Sequence, residues 1–216
     1  MVRDSQNGLR DLACCLSQCM PNLKDLNASE FPSGDAGAWF FPALHLPLRS
    51  LHLCSGGGNV YMAGAFSPKA CASLGALTSL QHLTLQLRVE SFGPLSGLTS
   101  LKSLHYRDAS GRMGTEACTS LGALTSLQHL TLNATIPSFN ALSGLTSLTS
   151  LCVLECYHYF DSQDDLNSML EDCQKLKELK IDELHHNSSS WPPISESIHT
   201  LKLALCELAH LPTLHT

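Results

Sequence analysis

The sequence contains a nearly identical internal duplication. Residues 70–85 read ACASLGALTSLQHLTL and residues 117–132 read ACTSLGALTSLQHLTL, so the two copies differ at a single position. The segments LSGLTSLKSL, at 95–104, and LSGLTSLTSL, at 142–151, repeat with the same offset of 47 residues. A chain made of copied short units folds as a stack of similar layers, because each unit buries its apolar side against the next one.

The pattern L-x-x-L-x-L extends this repeat beyond the duplicated block. In the unit that begins at Leu80, Leu83 and Leu85 are two residues apart and therefore lie on one face of a strand. His82 and Thr84 then point to the opposite face. The units begin at Leu23, Leu48, Leu80, Leu101, Leu127, Leu148, Leu176 and Ile198. Each unit thus supplies one short strand, and stacked strands form a parallel sheet over a shared leucine core.

The return segments between these strands differ in length, which predicts different structures for them. Ser67 followed by Pro68 fits a helix N-cap with proline at the first helical position. Residues 161–175 carry acidic side chains early and lysine late, as a helix prefers. The units of 21 residues have room for little more than a 3₁₀ turn.

With these motifs the chain resembles the leucine-rich-repeat family along nearly its whole length. The runs CMPNLKDL, at 19–26, and CQKLKEL, at 173–179, are similar to the intracellular repeats of F-box proteins and NLR-type immune receptors. The run CELAHLP, at 206–212, resembles a motif of NLR repeats. The resemblance implies an α/β solenoid of about eight repeats, a curved right-handed superhelix with short helices or 3₁₀ turns on the convex side. It also implies a concave parallel sheet that recognises proteins.

The family's regular pattern places an asparagine three positions after the last strand leucine, where its side chain bonds loop backbone from layer to layer. The corresponding positions here hold Phe31, Gly56, Arg88, Ala109, Thr135, Cys156, Leu184 and Cys206. The asparagine ladder is therefore missing. Thr135, Cys156 and Cys206 are candidates for weaker donors, as in the cysteine-containing subclass of repeats.

We expect residues 1–216 to form a single leucine-rich-repeat domain, with strand units starting near 23, 48, 80, 101, 127, 148, 176 and 198. A solenoid needs polar caps, because an uncovered end exposes a layer of the core. In this sequence the first unit begins almost at once, and the last stops within a return segment. We therefore expect a fragment, or a degenerate relative of a longer receptor, that lacks full caps.

Composition excludes several classes of partner. Charged residues make up 15% of the chain and aromatic residues 6%, so the core must be mainly aliphatic. The net charge is −6, and no stretch concentrates lysine or arginine. Nucleic acids and anionic membrane surfaces both attract basic patches, so we expect neither as a partner. We expect a protein partner instead.

A cytoplasmic location is expected from what the sequence lacks. Residues 1–10 are polar and contain no apolar run of the kind that a signal peptide needs. No apolar run is long enough to span a membrane. The ten cysteines follow no regular framework of spacings, so we interpret them as reduced, buried thiols.

The strand register predicts which side chains form the concave face. The predicted partner-binding residues are His52, His82, Thr84, His105, Arg107, His129, Thr131, Asn133, Glu178, Lys180 and Lys202. Two interpretations of the histidines stay open, a metal site or pH-sensitive contact patch and a solvent-exposed residue copied by the duplication. Residues two strands apart in one row are about 9.6 Å apart, which is too far for one shared zinc ion without help from His105. We therefore assign no metal site.

No pattern typical of catalysis is present, and we expect neither an enzyme nor a cofactor. The Gly-rich run at 55–59 lacks the Lys-Ser/Thr of a phosphate-binding loop and is interpreted as a flexible turn. Cys152 and Cys156 are four residues apart, unlike a C-x-x-C motif, and no serine lies in a nucleophile-elbow context. The leading hypothesis is a non-catalytic protein-interaction module. The alternative is a sensor or architectural segment of a larger innate-immune or ubiquitin-ligase receptor.

Overall fold

The computed structural model describes residues 2–55, 65–154, 163–184 and 198–205. Eight strands form one sheet in the order of the sequence, and every neighbouring pair is parallel. The strands are β1 (Asp25–Phe31), β2 (Ser50–Ser55), β3 (His82–Gln86), β4 (Ser103–Arg112), β5 (His129–Thr135), β6 (Ser150–Leu154), β7 (Glu178–Leu184) and β8 (Thr200–Leu205). The helices are α1 (Val2–Cys19), α2 (Ala36–Phe40), α3 (Pro68–Gly75), α4 (Thr115–Leu121) and α5 (Gln163–Asp172). The predicted leucine-rich-repeat architecture is confirmed.

The register of the sheet places equivalent residues of successive units side by side. Leu51 of β2 pairs with Leu83 of β3, which pairs with Leu104 of β4, and the row continues through Leu130. All four side chains are buried. The inward row formed two residues later is also buried, and it includes Leu53, Leu85, Tyr106, Leu132, Val153 and Ile181. The aliphatic core is thus a stack of leucine layers, as the repeat predicts.

The return segments follow the lengths of the units. Ser67 caps α3, because its side chain accepts a hydrogen bond from the Ala70 backbone N at 3.1 Å. The predicted helix within 161–175 is α5, which ends at Asp172. The 21-residue units return through 3₁₀ turns at Gly93–Gly97 and Phe139–Leu142. These three predictions are confirmed.

Helix α1 is an element that the repeat pattern, which begins at Leu23, does not predict. It precedes the first strand, and Leu9, Ala13 and Leu16 pack from it against the core. The Ser17 hydroxyl accepts a hydrogen bond from the His45 backbone N at 3.0 Å. An 18-residue helix therefore precedes the strand of the unit that begins at Leu23.

Other contacts join the layers where the asparagine ladder is absent. In the two duplicated segments, Ser79 Oγ donates to the Leu48 carbonyl at 2.8 Å and Ser126 Oγ donates to the Leu101 carbonyl at 2.9 Å. Each bond therefore connects one layer to the layer before it. Among the ladder positions, Thr135 is buried and Arg88 is exposed. Gly56, Cys156, Cys206 and the side chains of Ala109 and Leu184 lie outside the described residues.

Phenylalanine fills the first of those ladder positions. Phe31 is buried, and its ring lies 5.4 Å from the ring of Phe40 and 6.1 Å from that of Phe66. Phe41 stacks on Phe31 with ring centroids 5.7 Å apart. This aromatic cluster fills the space between the first strands and their return segments by apolar packing. An asparagine buried at the same position would need hydrogen-bond partners for its amide group.

The cysteines of the described residues are buried, half-buried or exposed. Cys71, Cys118 and Cys173 are buried, and burial raises the pKa of each thiol to about 11. For these three the prediction of buried thiols is confirmed. It is wrong for three others, because Cys14, Cys15 and Cys19 are exposed on α1. These three cysteines lie on α1, which precedes the first strand.

Candidate functional site

The surface predicted to be concave, called the concave face below, consists of the outward side chains of β1 to β8. One row runs through Ser50, His82, Ser103, His129, Ser150, Glu178 and Thr200, which pair strand by strand. A second row runs through His52, Thr84, His105, Thr131, Cys152, Lys180 and Lys202. A third row includes Cys54, Gln86, Arg107, Asn133 and Leu154. The structure therefore brings all predicted binding residues to one surface of the sheet.

His82 and His129 are both exposed in the first row, with the half-buried Ser103 between them. They are copies of one residue in the duplicated segments. Two strand spacings separate them, or about 9.6 Å, so one metal ion cannot bridge them directly. Within residues 2–55, 65–154, 163–184 and 198–205, no group of three or more His, Cys, Asp or Glu residues could hold a metal ion.

His105 lies on β4, in the middle of the sheet. It is half-buried in the second row, where Thr84 separates it from His52. Burial lowers the pKa of His105, and the nearby positive charges of His52 and Arg107 lower it further. The neutral imidazole is thus the favoured form in the folded chain, and it offers one hydrogen-bond donor and one acceptor to a partner.

The lowered pKa of His105 predicts that acidification destabilises the fold. A histidine whose folded-state pKa lies below its ordinary value of about 6.5 binds a proton more readily in the unfolded chain. The free energy of unfolding should therefore decrease as the pH falls below about 6.5 and level off below the folded-state pKa. Urea unfolding across this pH range measures the slope. We expect His105→Gln to reduce the slope of the free energy of unfolding against pH. An unchanged slope in that variant would show that His105 does not cause the pH dependence.

A depression of about 250 Å³ lies on the concave face where β6, β7 and β8 adjoin. It is lined by Ser150, Leu151, Cys152, Glu178, Leu179, Lys180, Thr200 and Lys202. Three predicted binding residues, Glu178, Lys180 and Lys202, therefore meet at one site. Lys180 Nζ also donates to Asp182 Oδ2 at 3.1 Å, which orients its ammonium group along β7.

The strand register also predicts Ser150, Cys152 and Thr200 on the concave face, although they are not among the predicted partner-binding residues. All three line this depression. Cys152 is half-buried, and burial raises the pKa of its thiol, while Lys180 opposes that shift. Cys152 is therefore a neutral polar contact on this surface. Cys156, which follows Cys152 by four residues, lies outside the described residues.

The remaining predicted residues form the middle of the surface. Thr84 and Thr131 are half-buried and flank His105 on the neighbouring strands. Arg107 is exposed in the third row and pairs in register with the half-buried Asn133. The middle of the concave face thus offers imidazole, hydroxyl, guanidinium and amide groups close together, which suits directional hydrogen bonding to another molecule.

No protein-family model and no curated protein sequence matches the chain. Among solved structures it is similar to internalin C2 of Listeria monocytogenes, at 18% identity over 84% of this chain and 80% of that one, with a TM-score of 0.47. It is also similar to a second internalin of the same organism, inlF, at 17% identity over 82% of this chain and 67% of that one, with a TM-score of 0.41. The repeat architecture follows from the chain's own strand order and register.

A leucine-rich-repeat solenoid presents an extended sheet surface that binds proteins, and such folds are typically non-catalytic. In the described part of the chain, no helix is long and apolar enough to cross a membrane.

Proposed function

We propose that the concave face recognises a protein partner, with His52, His82, His105 and His129 at the centre of the contact. The observation that carries this proposal is the unbroken register of the polar rows across the sheet. A parallel sheet holds its outward side chains at fixed spacings, so these groups are positioned before the partner binds. A preorganised surface loses less side-chain entropy on binding than a flexible one.

The charges of the face favour a polar, directional contact. The histidines and Arg107 occupy the middle strands, whereas Glu178, Lys180 and Lys202 occupy the end that includes β7 and β8. Charges of both signs alternate at that end, which favours one orientation of a partner over others. Arginine and aromatic residues dominate binding energy at many interfaces, so Arg107 is the strongest single candidate for an anchor.

The proposal includes a cytoplasmic location and a relationship to the intracellular type of repeat. The three thiols of Cys71, Cys118 and Cys173 support it, because each is buried as a small apolar side chain in the core. Such thiols are common where the compartment keeps cysteine reduced. Measuring the distribution of the tagged chain between cytoplasmic and secreted fractions tests this part of the proposal.

The binding proposal is tested by comparing two triple variants of the full chain. The concave variant carries His82→Ala, His105→Ala and His129→Ala. The matched control carries Lys69→Ala, Glu116→Ala and Glu171→Ala, three exposed positions on the helices α3, α4 and α5. Proteins captured from a cell extract by each variant and by the unmodified chain are compared by quantitative mass spectrometry.

We expect at least one captured protein to fall by about tenfold or more with the concave variant, as loss of central contacts produces at interfaces. The control variant should capture that protein as well as the unmodified chain does. Identical capture by both variants would rule out recognition through the concave histidines.

A further inference from the structure

Helix α1 carries a pair of thiols that the concave face does not use. The Sγ atoms of Cys15 and Cys19 are 3.8 Å apart, on the same exposed side of the helix. Residues four apart are neighbours on a helix surface, because one turn takes 3.6 residues. The third exposed thiol of this helix, that of Cys14, is one residue from Cys15 and therefore points about 100° away from it.

This thiol pair faces away from the other layers of the solenoid. The Ser17 side chain marks the opposite direction, since it is hydrogen-bonded to His45 just before β2. Cys15 and Cys19 each lie two residues from Ser17, which places both about 160° around the helix axis from it. On the same side Leu12 is 50% exposed, and nothing lies within 4 Å of a Cβ added at Gly8. A second molecule can therefore approach the pair closely.

The separation of the two sulfurs fits a shared metal ion better than a disulfide. A tetrahedral zinc ion with Zn–S bonds of about 2.3 Å holds its sulfurs about 3.8 Å apart. A disulfide needs Cβ atoms about 3.8 Å apart, whereas Cβ atoms four residues apart on a helix are separated by about 5–6 Å. An intact α1 can thus chelate a metal through both thiols, but it must unwind to form the disulfide.

We propose that Cys15 and Cys19 form half of a tetrahedral thiolate zinc site, which the same two residues of a second copy of this chain complete. Zinc in such sites takes four ligands. The described part of one chain brings no third His, Cys, Asp or Glu ligand to this pair. A twofold axis through the metal supplies the other two sulfurs with the same geometry and places the two Leu12 side chains at the contact.

Binding proceeds by loss of protons and without any change of oxidation state. Each of the four thiols releases one proton to solvent, and each thiolate donates a sulfur lone pair to Zn²⁺. A dication between the sulfurs stabilises both thiolates, and protons compete with it for the same sulfur atoms. Zinc-dependent association should therefore weaken as the pH falls.

The test uses the full chain, kept reduced with a phosphine and stripped of metal with a chelator that is then removed. Zn²⁺ is added, and light scattering after size-exclusion chromatography gives the mass. We expect the mass to double on addition of zinc, with one zinc ion bound per two chains. Co²⁺ in place of Zn²⁺ should give the strong visible absorption of tetrahedral thiolate coordination.

Four variants make the result specific to this thiol pair. Cys15→Ser and Cys19→Ser, singly and together, should abolish both the doubling and the cobalt absorption, whereas Cys14→Ser should retain them. Because all three side chains are exposed, circular dichroism should show equal helix content in every variant. The proposal is overturned if zinc leaves the mass unchanged, or binds one ion per chain without doubling. It is also overturned if the doubling persists without Cys15 and Cys19, or disappears in Cys14→Ser.

Discussion

Gly75→Ala is expected to lower the free energy of unfolding by about 3 kcal/mol, which is the upper range for inserting a methyl group into a packed interior. Gly75 ends α3, where the backbone of the next return segment passes directly over it. A Cβ at this position would lie 2.3 Å from the Pro94 carbonyl oxygen. Backbone cannot move aside as a flexible side chain can, so the two layers must separate. Urea unfolding followed by circular dichroism measures the loss.

Two further glycine substitutions make this result interpretable. Gly122 is the copy of Gly75 in the duplicated segment, and a Cβ there would lie 3.1 Å from the Ala141 carbonyl oxygen, so Gly122→Ala should cost less. Gly8 lies on the open side of α1, where Gly8→Ala should stabilise the chain by about 0.5–1 kcal/mol through helix propensity. Equal effects of Gly75→Ala and Gly122→Ala would show that close backbone approach does not decide the outcome.

Tyr106→Phe is expected to lower the free energy of unfolding by about 2–3 kcal/mol, because it leaves buried polar groups without a partner. Tyr106 occupies an inward position where the neighbouring strands carry Leu85 and Leu132. Its hydroxyl donates to Asp108 Oδ2 at 2.7 Å and accepts from the Val89 backbone N at 3.2 Å. Burial above all, and then the Asp108 charge, raises the pKa of Tyr106 far above its usual range, so the hydroxyl keeps its proton.

The other oxygen of the same carboxylate provides the control. The exposed Ser110 hydroxyl donates to Asp108 Oδ1 at 2.6 Å, and Ser110→Ala should cost only about 0.5–1 kcal/mol, since water can replace it. A double-mutant cycle between Tyr106→Phe and Asp108→Ala should show a coupling free energy of at least about 1 kcal/mol. Additive effects in that cycle, or a Tyr106→Phe variant no less stable than Ser110→Ala, would contradict a strong buried hydrogen bond.

Sequence periodicity alone predicts which residues lie on the concave face. Because side chains alternate across a strand, the spacing of Leu83 and Leu85 is enough to place His82 and Thr84 on the outer face. Copying one unit 47 residues later then places His129 in the row of His82. The depression between β6 and β8 could not be predicted in this way, because its shape depends on how three strands of different units lie together.

The same distinction explains the elements that the sequence pattern misses. Leu9, Ala13 and Leu16 follow a helical spacing, but they lie outside the L-x-x-L-x-L units that define the strands. Tyr106 fits an inward position only because Asp108 and the Val89 backbone are close enough to satisfy its hydroxyl. Asp108 follows Tyr106 by two residues on the same strand face, but Val89 belongs to the preceding unit, so its contact cannot be read from residue spacing within a single unit.

The sequence by itself determined the arrangement within each layer. The fixed spacing of leucines along a strand decides which side chains turn inward and how the strands pair. Only the tertiary structure decided what happens between layers and at their outer faces. The approach of Gly75 to the Pro94 backbone depends on packing between return segments, and the direction of the Cys15–Cys19 pair depends on how α1 seats against the core. The physical reason is that alternation along a strand is local, whereas distances between layers are set jointly by all the side chains packed between them.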